Sequence, residues 1–175
     1  LAELVLVVFM FLGGVGFLTH MRVFTKGPLV FIRSIEVRAA LLIVASASLI
    51  VSLDLVLNGS QGLVEALRVA VFQVVSILTT TGYTTADLNS LPSLSKGILS
   101  ALMLIGGCVG STGGAIKIMR LIFMVKLAAY TVTKMILPPE TVRPLKLGRQ
   151  VIPEDEALKV AGFFAAYILL LAVES

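Results

Sequence analysis

At 175 residues and a formal net charge of +4, the chain is 58% hydrophobic and only 14% charged, well below the roughly 25% charged residues of soluble domains. That balance excludes an ordinary water-soluble fold and defines an integral membrane protein. The basic residues fall between apolar runs rather than on one folded face, which argues against nucleic-acid binding. A single cysteine, Cys108, rules out a disulfide framework or a thiolate metal cluster, and the single histidine, His20, reads as a boundary residue rather than a ligand.

In chain order, residues 1–19 form an apolar run about long enough to cross a bilayer, which takes roughly 20 helical residues. Its glycines, Gly13, Gly14 and Gly16, are expected to mark close helix contact. The chain opens without methionine and closes inside an apolar run, so it is expected to be part of a longer protein. Residues 20–38 make a basic linker with Arg22, Lys26, Arg33 and Arg38, and 39–57 a second span with one acid, Asp54, near its end. Asn58-Gly59-Ser60-Gln61-Gly62 is a turn. Residues 63–78 are helical in pattern but carry Glu65, Arg68, Gln73 and Ser76. They are too short to span a core of about 30 Å, so the helix is expected to enter the membrane and stop partway. Where it stops stands Thr79-Thr80-Thr81-Gly82-Tyr83-Thr84, expected to be extended and to belong to a pore-lining segment over 79–85. A polar loop with Asp87 follows. Residues 96–135 form a span interrupted at 106–114, where five of nine residues are glycine, each costing about 1 kcal/mol against alanine in a helix. Residues 136–157 are a proline-rich basic loop, and 158–175 begin another apolar span.

All fourteen Lys and Arg except Arg68 and Lys96 lie on one side if 20–38 and everything beyond the glycine break share it. The positive-inside rule makes that side cytoplasmic, so the threonine stretch is entered from outside. Irregular backbone at membrane depth survives only where protein or a water-filled path surrounds it. The C-terminal end of a re-entrant helix carries about half a negative charge and favours a cation. Thr80-Thr81-Gly82-Tyr83 shares three of its four residue types with the T-V-G-Y run whose carbonyls replace the hydration shell of K⁺ in channels. Thr80, Thr81, Gly82 and Tyr83 are thus candidate filter residues, with K⁺ at Thr80, Thr81 and Gly82.

The break at Gly106, Gly107, Gly110, Ser111, Thr112, Gly113 and Gly114 carries G-x-x-x-G spacing suited to helix packing. Its Ser and Thr point instead to an unwound loop, which below the threonine stretch would obstruct a pore and act as a gate. A phosphate-binding loop is disfavoured, because the G-K-[S/T] ending is absent. Lys117 and Arg120, three apart, would share a helix face and either border a water path or snorkel to the cytoplasmic boundary. Asp87 would raise the cation concentration at an outer mouth.

The run T-T-T-G-Y-T-T-A-D, followed about twenty residues later by G-G-C-V-G-S-T-G-G-A-I-K, resembles the Trk/Ktr/HKT superfamily of potassium-uptake proteins. The resemblance covers essentially the whole chain. It implies an all-α membrane protein of helix–pore-loop–helix repeats with a broken inner helix. Residues 1–19 would end a second repeat, 39–135 make a complete third and 158–175 open a fourth. Implied partners are the remaining repeats, a second copy in a homodimer and a cytosolic nucleotide-binding subunit, in a multi-pass protein of a prokaryotic plasma membrane. The cargo would be K⁺, with no covalent cofactor and no enzymatic step. Other readings are a subunit of a simple tetrameric potassium channel and a non-transporting membrane scaffold.

Overall fold

The computed structural model describes residues 2–58, 62–136, 146, 147, 150, 151, 162–167 and 169. The chain divides into two compact units, 1–119 and 120–175.

The first unit is helical. Helix α1 (Ala2–Gly14) ends where the glycines cluster, and α2 (Phe17–Lys26) leaves it at 96°. The apolar run over 1–19 is therefore not one straight span. His20, on α2, reaches back across the bend and donates from Nε2 to the Leu12 carbonyl at 3.0 Å, a second bond on an oxygen that also takes the Val15 N–H at 3.1 Å. The segment expected as a linker holds α2 and the short α3 (Leu29–Arg33), and α4 (Ile35–Asn58) begins directly after it. Ser34 sits between them, its carbonyl accepting the Arg38 N–H at 3.0 Å as the first bond of α4.

At 24 residues α4 is the one described helix long and apolar enough to cross a membrane unaided, with a reach of about 36 Å at 1.5 Å per residue. Helix α5 (Leu63–Leu78) has 16 residues, a reach of about 24 Å, short of a core of about 30 Å. It is the most enclosed helix. Ala66, Val69, Ala70, Val74 and Leu78 pack with Ala47, Val51 and Leu55 of α4 and with Leu99 and Leu102 of α6 (Ser93–Met103). On its other side Phe72 and Val75 meet Met10 of α1. Leu42, Leu49, Leu53 and Leu57 of α4 stay exposed, a face that within this unit has no protein cover.

Asp54 ties α4 to α6. Its buried carboxylate accepts from the Ser95 N–H at 2.8 Å, the Ser95 hydroxyl at 2.5 Å and the Asn58 amide at 2.7 Å. This satisfies an N-terminal N–H of α6 from a neighbouring helix. Asp54→Ala would leave the buried Ser95 groups without an acceptor and is expected to cost about 2–4 kcal/mol. A thermal unfolding midpoint in detergent measures it; Asp54→Asn should lose less, and an unchanged midpoint in both would show that the clasp is not structural.

Helix α7 (Ile118–Ile136) begins at the end of the first unit and supplies most of the described second unit. There Lys146–Leu147 (β1) pairs antiparallel with Gln150–Val151 (β2), and 162–167 are helical. The rest of the expected 136–157 loop and most of 158–175 lie outside the described residues, as do residues 59–61 of the turn.

Candidate pore segment and glycine-rich loop

Helix α5 ends in a specific hydrogen-bond pattern. Thr81 N–H donates to Ser76 O and Thr80 N–H to Ile77 O, both at 2.9 Å, the paired closure of a Schellman motif. That motif needs a left-handed residue in the position held by Thr80, and Thr80 has φ +56°. Glycine is the usual occupant; a β-branched residue there is strained by about 1–2 kcal/mol. Gly82 is also left-handed, at φ +79°. The stretch is thus not simply extended: its backbone is turned twice in four residues.

Two buried polar residues of α5 hold this shape. The Ser76 hydroxyl donates to the Tyr83 carbonyl at 2.6 Å, and Ser76 O also receives the Gly82 N–H at 3.4 Å. The Gln73 amide, oriented with its oxygen toward the chain, accepts from Thr85 N–H and Ala86 N–H, each at 3.2 Å. Thr79 bonds Val75 O at 2.8 Å and shares a 2.8 Å hydroxyl contact with Thr81. Among the described residues no hydrogen bond ends on the carbonyl oxygens of Thr80, Thr81 or Gly82, whereas that of Tyr83 is engaged. Residues 80–84 are exposed. Asp87 is also exposed, in the following loop, where its carbonyl accepts from the Ser90 N–H and hydroxyl.

The segment between α6 and α7 is an unwound loop, so the packed-helix reading of its G-x-x-x-G spacing does not hold. Its neck is closed by a parallel bridge of Ile105 with Ile116, with Gly106 N–H donating to Ile116 O at 2.8 Å and Ile118 N–H to Gly107 O at 3.2 Å. The loop above that neck sits against two other irregular backbones. On one side Gly114 N–H donates to the Thr80 hydroxyl at 3.0 Å, and a Cβ on Gly113 would stand 3.0 Å from that oxygen and 3.2 Å from Thr79 O. On the other side Cys108 N–H donates to Gly14 O at 2.9 Å and Phe17 N–H to Gly110 O at 3.0 Å. A side chain at Gly16 would collide with the Val109 carbonyl oxygen. Of the first-span glycines, Gly16 thus makes its close contact with this loop, Gly14 makes it with Thr79 at the end of α5, whose Cγ2 would stand 2.7 Å from a Cβ there, and Gly13 has nothing within 4 Å of that position. Thr112 reaches Gly13 O at 3.4 Å.

Lys117 and Arg120 do not share a helix face, because α7 starts only at Ile118. The Lys117 ammonium turns into the loop and donates to Ser111 O, Ser111 Oγ and the Gly113 carbonyl. Arg120 lies 4.1 Å over the Phe163 ring, a cation–π contact within the second unit. One residue of this assembly is not apparent from the sequence. Glu36, in the first turn of α4, accepts the Val109 N–H at 3.0 Å; read as part of a basic linker, it passes for a solvated loop acid.

A short helix that stops inside the bundle, a twisted polar segment and a broken following helix together define a helical membrane protein of pore-loop architecture, to which the two-residue strands β1 and β2 are a minor addition. The family model described as "TrkH: Cation transport protein" matches residues 1–175, and the chain belongs to that family. It is 34% identical over 96% of its length to the Trk system potassium uptake protein TrkH of Halomonas elongata and 33% identical over 98% to the TrkH of Vibrio parahaemolyticus. It spans 35% and 36% of those two proteins. The fold matches the crystal structure of the potassium transporter TrkH from Vibrio parahaemolyticus with a TM-score of 0.90 at 31% identity, over 98% of this chain and 37% of that one.

Proposed function

We propose that this chain is part of a K⁺-uptake protein of a prokaryotic plasma membrane and supplies one of several segments that converge on an ion path. The observation that carries the reading is the twisted stretch at the end of α5, where the carbonyls of Thr80, Thr81 and Gly82 are left unbonded while buried Ser76 and Gln73 fix the backbone around them. Such oxygens replace the hydration shell of a dehydrated cation, here entering from the outer side and passing inward. K⁺ is cargo, and no bond is made or broken.

The glycine-rich loop lies against Thr79 and Thr80 and brings the Lys117 charge with it. A cation leaving the filter meets both an obstacle and a positive charge, so this loop is assigned the role of gate. Arg120 adds positive charge in the turn that follows, and Asp87 draws cations to the outer mouth. The remaining repeats of the parent chain complete the filter around this third repeat. A second copy in a homodimer and a cytosolic nucleotide-binding subunit are the assigned partners. Rb⁺ uptake by vesicles carrying the full-length parent protein tests the proposal: uptake above that of empty vesicles is expected, and its absence ends the transport reading.

A further inference from the structure

We infer that Glu36 is the positioning residue that latches the glycine-rich loop in its seated state. The inference rests on the gate reading of that loop.

Three hydrogen bonds hold the loop tip at 108–110. Cys108 N–H to Gly14 O and Phe17 N–H to Gly110 O are made by backbone on both sides, so they accompany any side chains. The third, Val109 N–H to Glu36 Oε2 at 3.0 Å, is the one whose acceptor is a side chain. It is charge-assisted, roughly twice as strong as its neutral neighbours. The carboxylate is half-buried and is also the electrostatic neighbour of the Cys108 thiol, whose residue is only 1% exposed. One anionic group therefore faces both adjacent residues of the tip.

Its mounting gives the latch a direction of control. Glu36 follows Ser34, where α3 ends and α4 begins. The tip is thereby tied to the base of the long helix, while its other two bonds tie it to the bend between α1 and α2. A movement of the α2–α3 segment against α4 would pull these attachments apart, and a hydrogen bond weakens steeply once its geometry is lost. Glu36 is carried by α4 and not by the loop, so a loop that leaves its seat parts Val109 from its acceptor.

Cys108 supplies the readout. In the full-length parent protein in vesicles, the rate at which Cys108 is modified by a small methanethiosulfonate, located by peptide mass, measures how often the loop leaves its seat. Glu36→Ala is expected to raise that rate about tenfold, and Glu36→Gln, which keeps an acceptor oxygen but no charge, by less. Rb⁺ uptake in the same vesicles should rise in maximal rate with an unchanged KM. An unchanged labelling rate in both variants, with Cys108 still reactive after denaturation, overturns the latch. Should Glu36→Ala fail to insert, an unchanged rate in Glu36→Gln alone overturns it. Faster labelling with flat uptake upholds the latch and overturns the gate reading instead.

Discussion

Replacing Gly82 by Asp or Ser is expected to lower the preference of the full-length protein for K⁺ over Na⁺ by about tenfold or more, or to abolish uptake. The reason lies in the backbone and not in space: a Cβ at Gly82 would meet nothing within 4 Å, but its φ is +79°. A side chain in that region costs about 1–2 kcal/mol, and the backbone relieves the strain by rotating. Rotation here turns the peptide planes whose oxygens belong to Thr81 and Gly82, and a discrimination resting on oxygen placement loses about a factor of ten for each 1.4 kcal/mol. Thr80 cannot absorb the change, because it already sits left-handed at +56°. Competition of Na⁺ against Rb⁺ uptake measures the effect; unchanged selectivity would take Gly82 out of the ion path.

Removing residues 109–112 is expected to raise basal uptake about tenfold or more. The deletion takes away the tip's bonds to Glu36, Phe17 and Gly13 and the Ser111 contacts of Lys117, and several bonds at about 1 kcal/mol each shift a two-state equilibrium by orders of magnitude. The Ile105 and Ile116 bridge remains to rejoin the shortened ends. Flat uptake in an inserted, correctly sized variant would make the break a packing feature.

Much of this arrangement was legible in the residues, for identifiable physical reasons. Asn58-Gly59 before an apolar pattern too short to span pointed to α5, and glycines packed into 106–114 pointed to an unwound segment, because each is a large local penalty in a helix. The same signal stands at Gly13, Gly14 and Gly16, but there it was weighed as close packing, and apolarity carries no information about a 96° bend. Spacing placed Lys117 and Arg120 on one face only on the premise of a helix that in fact starts between them. The left-handed Thr80 was beyond sequence reasoning, since β-branched residues rarely adopt that region; the Schellman closure imposes it. Glu36 was hidden because a partner 73 positions away in the chain, Val109, leaves no local pattern.

The bond from Gly114 N–H to the Thr80 hydroxyl joins the proposed filter to the proposed gate, and thermodynamics makes any coupling through that junction two-way. If unseating the loop changes the affinity of the Thr80 position for a cation by some factor, then occupancy of that position must change the seating of the loop by the same factor. On the proposed filter and gate roles, a cation held by the Thr80 carbonyl would pull on the residue whose hydroxyl takes the Gly114 N–H, and the concentration of cargo would then help to set how often the loop is unseated.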